Sequence, residues 1–243
     1  MKHRRRWQFE GIANLRDLGG FSCGSGITKW GTFYRSTSLC VASSSDLELL
    51  EKLNIKTIID LRYPDEIEKM PDFLPSSAKY ITISLMGKTT PDQITVRDKT
   101  ANTRTLIRMY NQVIKNSASQ IVEIMKQLSE CEGAALFHCA AGKDRTGIIA
   151  MLLLSVMNVA REDIVADYEI SRGYILEFTA DISGSHWSNM DKLLDIIQNK
   201  YGGVEEYLLK HGLEKYYLQK LRAKFFDDDC QNDKSDQTRG FYT

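Results

Sequence analysis

The stretch His138-Cys139-Ala140-Ala141-Gly142-Lys143-Asp144-Arg145-Thr146-Gly147 predicts the central turn of this fold. The apolar residues 134–137 before it predict a buried strand, and the apolar run 148–154 after it predicts a buried helix. Residues 139–145, here named the cysteine turn, therefore connect the carboxyl end of a strand to the start of a helix. Unpaired N–H groups and the helix dipole favour anions at such a position, which predicts a phosphate site.

Cys139 is the expected nucleophile of this turn. The reactive form of a cysteine is the thiolate, which a helix N-terminus, N–H donors and a nearby guanidinium stabilise. Arg145, six residues later, is expected to hold two phosphate oxygens with its planar fork, which a lysine cannot do bidentately. The hydroxyl of Thr146 is expected to donate to the Cys139 sulfur when that sulfur leaves in a second, hydrolytic step.

The turn as a whole is expected to bind the phosphate, because its N–H groups and Arg145 oppose the charge that develops on three equatorial oxygens. The candidate phosphate-binding residues are Ala140, Ala141, Gly142, Lys143, Asp144, Arg145 and Thr146. Lys143 is either a solvated charge or a contact for a polyanionic substrate. His138 is expected to orient the Cys139 backbone through a hydrogen bond rather than to act as a base.

A carboxylic acid is needed opposite the thiolate, because the leaving oxygen requires a proton. Asp144, inside the turn itself, is the first candidate, and Asp60, at the end of a predicted strand, is the second; Asp92 and Asp98 follow. A salt bridge that holds the shape of the turn is the alternative role for Asp144.

Five further polar residues are expected to surround the site rather than to react. Asn14, Arg16 and Asp17 either brace the site or shape the Gly19-Gly20 turn. Arg35 and Arg62 are either buried ion-pair partners or residues at the rim.

Composition excludes several other classes of protein. The 243 residues contain 32 Lys and Arg and 32 Asp and Glu, so no net charge attracts nucleic acid. Five irregularly spaced cysteines fit reduced thiols, and therefore a cytoplasmic protein, better than disulfides. No Cys-x-x-Cys or His-x-x-x-His pair suggests zinc, and no apolar run is long enough to span a membrane. We expect a monomer without a metal or cofactor.

Alternating strands and helices in the first part of the chain predict an α/β fold with a parallel central sheet flanked by helices. We expect strands near 31–34, 56–61, 80–83 and 134–137, and a helical half from residue 161 onward that packs against the sheet. The predicted organisation comprises a flexible basic N-terminus (1–8), one domain (9–226) with a lid segment (86–108), and a disordered polar tail (227–243).

The form Gly-Lys-Asp-Arg-Thr-Gly resembles the signature loop of the atypical tyrosine phosphatases of bacteria and fungi. The motifs at 14–20, 34–36, 59–62 and 201–208 are similar to segments of that family in the same order, so the resemblance spans about residues 9 to 225. It implies a phosphomonoester hydrolase with a phosphocysteine intermediate. Its implied substrates are phosphotyrosine and also phosphoserine, phosphothreonine or phosphoinositides. Relatives in this family are also exported without a recognisable signal. The alternative is a catalytically weak phosphate-binding module of the same fold.

Overall fold

The computed structural model of the chain describes residues 3–85, 103–175 and 186–228, with only the backbone described at 103–105. The strands within these ranges are β1 (Arg16–Asp17), β2 (Ser22–Cys23), β3 (Gly26–Thr28), β4 (Phe33–Ser36), β5 (Ile55–Asp60), β6 (Lys79–Thr82), β7 (Ala134–His138) and β8 (Phe226–Asp227). The helices are α1 (Ser44–Lys52), α2 (Pro64–Lys69), α3 (Thr103–Asn116), α4 (Ala118–Glu130), α5 (Asp144–Val156), α6 (Arg161–Ile175), α7 (Trp187–Tyr201), α8 (Val204–Lys210) and α9 (Lys215–Phe225).

The central sheet has the strand order β1-β4-β7-β5-β6. Parallel ladders join β4 to β7, β7 to β5 and β5 to β6, whereas β1 is antiparallel to β4 at one edge. The predicted α/β architecture with a mostly parallel sheet is confirmed. Because the four parallel strands end at one edge, Ser36 and Asp60 both lie beside His138, directly before the cysteine turn.

Helix α5, which follows the cysteine turn, lies at the centre of the molecule. Its residues from Thr146 to Leu154 are all buried, and it contacts β4 and β7 on one side and α6, α8 and α9 on others. A helix that is apolar all round needs such an enclosed position. The helical C-terminal half therefore packs around α5 on one face of the sheet, while α1 covers the other face through a second apolar cluster.

The end of the described chain corrects the predicted start of the polar tail at residue 227. Phe226 and Asp227 form β8, which pairs with Thr28 and Ile27 in a small antiparallel sheet of β2, β3 and β8. The aspartates after residue 226 suggested a break in structure, but the half-buried Phe226 continues the fold past α9. Residues 229–243 lie outside the described residues.

Within the predicted flexible segment 1–8, residues 3–8 are described, and they contact the rest of the domain. The carbonyl oxygen of Arg5 accepts a hydrogen bond of 2.9 Å from the Asp17 N–H group. The Arg5 guanidinium lies 3.9 Å from the ring centre of Phe21 and 5.2 Å from that of Trp30. Aromatic faces bind guanidinium groups, so residues 3–8 are held by side chains that sequence reasoning did not connect to them.

The predicted lid at 86–108 falls largely on residues that are not described. Residues 86–102 lie outside the described ranges, and residues 103–108 form the first turns of α3. Among the helices in the described part of the chain, none combines the length and apolar character needed to cross a membrane. Cys23, Cys40, Cys131 and Cys139 are all free thiols.

Candidate active site

The cysteine turn runs from the carboxyl end of β7 to the N-terminus of α5, as the sequence predicted. Cys139 follows β7 directly and is only 3% exposed. Gly142 has a φ of +63°, and a Cβ atom added there would lie 2.2 Å from the Ser36 carbonyl oxygen. Only glycine fits both this left-handed conformation and this close approach to β4. The tight return of the chain toward α5 therefore depends on Gly142.

The carbonyl groups of the turn are held by donors that lie outside it. The Gly142 oxygen accepts hydrogen bonds from Asn14 Nδ2 at 3.0 Å and from Arg35 Nη2 at 2.8 Å. The Ala140 oxygen accepts one from the Ser38 N–H group at 3.1 Å. These bonds hold the turn in one conformation at the N-terminus of α5, a position that favours an anion.

Arg16 and Arg35 form a buried triad with Asp167 from α6. Asp167 Oδ1 lies 2.7 Å from Arg16 Nε, and Asp167 Oδ2 lies 2.6 Å from Arg35 Nη1. Burial alone would raise the pKa of Asp167, but the two guanidinium groups lower it below its ordinary value. Burial is also the main cause that lowers the pKa of Arg35 to about 10. Both arginines are thus buried ion-pair partners that support the turn from the interior of the protein.

Asn14 and Arg16 brace the site, whereas Asp17 shapes the adjacent backbone. Arg16 Nη1 donates to the Asn14 carbonyl oxygen at 3.2 Å, and so orients the residue whose amide holds Gly142. Asp17 accepts the N–H groups of Gly19 at 2.8 Å and Gly31 at 2.7 Å. Of the two roles considered for these residues, the first therefore applies to Asn14 and Arg16 and the second to Asp17.

Arg145 is anchored by Glu66, which lies on α2 and was not among the predicted site residues. Arg145 Nη1 and Nη2 donate to the two carboxylate oxygens of Glu66 at 2.6 and 2.8 Å. Burial alone would lower the pKa of Arg145, but Glu66 and the Coulomb interaction with Cys139 raise it above its ordinary value. The guanidinium has five N–H donors, so donors remain for a phosphate after Glu66 has taken two.

Asp144 begins α5 and is held from the interior by Tyr110 of α3. The Tyr110 hydroxyl donates to Asp144 Oδ1, and Lys143 Nζ lies 3.7 Å from Asp144 Oδ2. The Asp144 side chain remains 24% exposed, unlike the fully buried Tyr110 that contacts it. The hydroxyl of Thr146 is buried without a hydrogen-bond partner in the described part of the chain. The bond predicted from Thr146 to the Cys139 sulfur is therefore not formed in this structure.

Asp60 is not placed to act as the general acid, which corrects its prediction as the second candidate. It is fully buried and accepts hydrogen bonds from Arg62 Nε and Nη2, at 3.0 and 2.7 Å, and from Tyr80 at 2.6 Å. Burial would raise the pKa of Asp60, but the hydrogen bonds from Arg62 hold it below its ordinary value. A carboxylate that is ionised and enclosed in this way has no proton to deliver to a substrate.

Arg62 is a buried ion-pair partner rather than a residue of the rim. Its guanidinium also lies 2.7 Å from Asp72 Oδ2, so it bridges two carboxylates. His138 lies beside them, with Nε2 3.2 Å from Asp72 Oδ2 but without hydrogen-bond geometry. Its Nδ1 lies 3.3 Å from the Cys139 carbonyl oxygen, which is the predicted backbone contact. This buried network supports the end of β7, which Cys139 directly follows.

The same network contains a possible set of metal ligands. Asp60, Asp72 and His138 each bring one ligand atom within 4.8 Å of the others. The Arg62 guanidinium already lies between the two carboxylates at 2.7 Å from each, and it supplies the positive charge that a cation would bring. The donor set thus matches an ion-pair cluster bridged by Arg62 better than a metal site.

Four supporting residues were missed from the sequence: Glu66, Asp72, Tyr110 and Asp167. Glu66 and Asp167 lie 79 and 132 residues from the arginines Arg145 and Arg35 with which they pair. The one local signal is at Glu66, because Pro64-Asp65-Glu66 has a proline and acidic residues in the first turn of a helix. Helix α2 was not predicted, so that signal was not used.

A cysteine that directly follows a buried parallel strand and an arginine in the first turn of the next helix make the turn between them a candidate phosphate site. The comparison with known families agrees, since the tyrosine phosphatase family model matches residues 7–227. The chain belongs to the tyrosine phosphatase family, and it is a phosphatase.

Two curated relatives illustrate this membership. A tyrosine-protein phosphatase of Nostoc commune is 31% identical over 217 residues, which cover 79% of this chain and 73% of the relative. The triple specificity protein phosphatase PtpB of Mycobacterium tuberculosis is 26% identical over 205 residues, which cover 72% of each chain. The predicted resemblance to this family, including its mycobacterial members, is thereby confirmed.

Proposed function

We propose that this phosphatase hydrolyses phosphate monoesters through a phosphocysteine intermediate. The Cys139 thiolate attacks phosphorus, the sulfur–phosphorus bond forms and the bond to the ester oxygen breaks. That oxygen takes a proton from a carboxylic acid of the site and leaves as an alcohol or phenol. A water molecule then attacks phosphorus, inorganic phosphate is released, and the Cys139 thiolate is restored.

One observation carries this proposal: carbonyl oxygens of the cysteine turn are hydrogen-bonded to residues outside the turn, which fixes its shape. Asn14, Arg35 and Ser38 hold the oxygens of Gly142 and Ala140. Donors that are fixed before the reaction stabilise transition-state charge without reorganisation. The N–H groups of the turn and the remaining donors of Arg145 are therefore suited to the three equatorial oxygens of the phosphoryl group.

Asp144 is the general acid in this proposal. It is partly exposed and lies in the cysteine turn, where α5 begins, whereas Asp60 is enclosed by Arg62 and Tyr80. A general acid in the correct position contributes about 10²- to 10⁴-fold to the rate. The alternative of a purely structural Asp144 predicts that its removal affects good and poor leaving groups equally.

The proposed substrates are phosphotyrosine together with phosphoserine, phosphothreonine or phosphoinositides. The relative from Mycobacterium tuberculosis is named for triple specificity, which supports a broad range for this chain. Lys143 lies next to Asp144 in the turn and offers a second cation to a polyanionic head group. The proposal includes a cytoplasmic location, supported by the free thiols of the described cysteines, together with a monomeric state and activity without a metal.

The decisive experiment replaces the nucleophile. Cys139→Ser should reduce hydrolysis of an aryl phosphate to background, and rapid acid quenching of the unaltered protein should trap one phosphate per chain on Cys139. Cys131→Ser is the matched control, because Cys131 is a free thiol at the end of α4, outside the cysteine turn, and should retain full activity. Retained turnover in Cys139→Ser would refute the mechanism.

Further measurements test the absence of a metal, the transition state and the alternative function. EDTA should leave turnover unchanged, while vanadate, which mimics the five-coordinate phosphoryl group, should abolish it. If the unaltered protein bound phosphotyrosine but did not hydrolyse it, the phosphate-binding module would be the correct function. Parallel assays with a phosphotyrosine peptide, a phosphoserine peptide and phosphoinositides then define the substrate range.

A further inference from the structure

Tyr110 contacts the cysteine turn from the buried interior of the protein. This tyrosine lies in α3 and is fully buried, yet its hydroxyl donates to Oδ1 of the partly exposed Asp144. The same hydroxyl lies 2.7 Å from the hydroxyl of Tyr168, which is buried in α6. A line of hydrogen bonds thus runs from the interior of the helical half to the first residue of α5.

We propose that Tyr110 is a positioning residue for the general acid, and that its hydroxyl holds one oxygen of Asp144 so that the other presents the proton to the leaving group. This inference rests on the proposed phosphocysteine mechanism and on the role of Asp144 within it. Tyr110 does not touch the substrate. It acts through the carboxyl group.

The phenol of Tyr110 keeps its hydroxyl proton at neutral pH. Burial and the negative charge of Asp144 raise the pKa of the Tyr110 phenol well above its ordinary value. A phenol has one hydroxyl proton, and Tyr110 directs it to Asp144, so Tyr168 must be the donor in the contact between the two hydroxyls. Tyr168 therefore keeps the Tyr110 proton pointed at Asp144.

The two oxygens of Asp144 have different surroundings as a result. Oδ1 accepts the buried hydroxyl of Tyr110, whereas Oδ2 lies 3.7 Å from Lys143 Nζ on the side of the turn. An acid proton on Oδ2 is free to pass to the ester oxygen as its bond to phosphorus breaks. Asp144 is then a carboxylate, which Tyr110 and Lys143 stabilise until it takes a proton from the attacking water.

A packing role for Tyr110 makes a different prediction. Its ring meets that of Tyr168 edge to face, with 6.3 Å between centres and an angle of 88° between planes. If only this packing mattered, loss of the hydroxyl would change all substrates by the same factor. A role in proton delivery instead penalises substrates whose leaving oxygen is a poor leaving group, because those depend most on the acid.

The test compares Tyr110→Phe with the unaltered protein on a series of aryl phosphates of increasing leaving-group basicity. For phenyl phosphate, kcat/KM should fall roughly ten- to a hundredfold, which is part of what a general acid contributes, and for p-nitrophenyl phosphate less than about threefold. The dependence of log kcat/KM on leaving-group basicity should become steeper. An equal loss for every substrate would overturn the proposal.

Tyr207→Phe is the matched control, because it removes another buried hydroxyl that contacts α3. The Tyr207 hydroxyl donates to the Ile114 carbonyl oxygen at 2.7 Å, away from Asp144. This variant should keep the original leaving-group dependence. Tyr168→Phe serves as the second test variant should Tyr110→Phe fail to fold, and it should steepen the dependence in the same direction but less.

A double variant separates this inference from the mechanism beneath it. In an Asp144→Asn background, Tyr110→Phe should cause no further loss on phenyl phosphate, because its effect passes through the acid. Independent, multiplicative losses would refute the positioning role. If Cys139→Ser stayed active, the phosphocysteine mechanism itself would fail; if Cys139 proves essential but Tyr110→Phe leaves the slope unchanged, only the inference about Tyr110 fails.

Discussion

Asp167→Asn tests whether the turn depends on the buried triad beneath it. The substitution keeps the shape of the side chain but removes the charge shared by Arg16 and Arg35, both of which have 0% side-chain exposure. Removing one partner of a buried ion pair costs about 3–5 kcal/mol, because it leaves an uncompensated charge. Domains have roughly 5–15 kcal/mol of stability, so the variant should fold but be strongly destabilised.

The assay is urea unfolding of the full chain at pH 7, with thermal unfolding as a second measurement. The midpoint Tm should fall by about 6–20 °C, given roughly 2–4 °C per kcal/mol for a domain of this size. Hydrolysis should weaken too, since Arg35 also holds the Gly142 carbonyl oxygen. The urea m-value should stay constant, because the unfolded chain exposes the same surface.

Asp191→Asn provides the matched control. Asp191 pairs with Arg161 at the same 2.6 Å as Asp167 with Arg35, but these two side chains are 31% and 40% exposed. Exposed pairs contribute about 0–1 kcal/mol. If Asp167→Asn destabilised the protein by no more than Asp191→Asn does, the assignment of the triad as a support for the turn would be wrong.

The Asp167 contribution also has a defined pH dependence. Arg16 and Arg35 lower the pKa of Asp167 in the folded protein despite its burial. A lowered pKa adds stability that is complete above the unfolded value of about 3.9 and is lost as the pH falls through the folded value. The difference between the unaltered protein and Asp167→Asn should therefore be full at pH 7 and shrink below about pH 4.

Three other predictions address the turn and its neighbours. Glu66→Gln should weaken the hold on the Arg145 guanidinium and lower kcat/KM by up to about 10²-fold in steady-state assays, with little loss of stability. An unchanged kcat/KM would refute the anchoring role. Gly142→Ala should lower the unfolding free energy by about 2–5 kcal/mol and abolish activity, because of its φ of +63° and the nearby Ser36 carbonyl. The matched change Gly173→Ala, where an added Cβ meets nothing within 4 Å, should be neutral or stabilising. Burial raises the pKa of Asp17 to about 6, so folding favours its protonated form. As the pH rises from about 4 to 6, the stability of the unaltered protein should therefore fall relative to that of Asp17→Asn. Urea titrations of both proteins across that range measure this shift, and a constant difference would contradict it.

Much of the fold could be read from periodicity and short motifs. The strands β4, β5, β6 and β7, the buried helix α5 and the start of the helical half at α6 lie within a few residues of their predicted positions, because buried strands and helices leave recognisable apolar patterns. The strands β1, β2 and β8 have only two residues each, which is too few to show a period in the sequence. They exist because neighbouring segments supply the hydrogen bonds.

The residues of the site also fall into those that the local sequence predicts and those whose role depends on distant contacts. Cys139, Gly142 and Arg145 occupy one continuous turn, whose spacing is sufficient to predict its chemistry. Asp60 shows where such reasoning fails: its place at a strand end suggested an acid, but Arg62 and Tyr80, which surround it, make it a buried carboxylate.

By itself, the sequence determined the strand, turn and helix that build the proposed phosphate site around Cys139, because that geometry depends on consecutive residues. Only the tertiary structure decided which charges support it. Glu66 reaches Arg145, and Asp167 reaches Arg35, across 79 and 132 residues, through the packing of α2 and α6 against the sheet and α5. The contact of Tyr110 with Asp144 has the same origin, because pairing between side chains on separate elements is set by their packing and leaves no periodic trace in the chain.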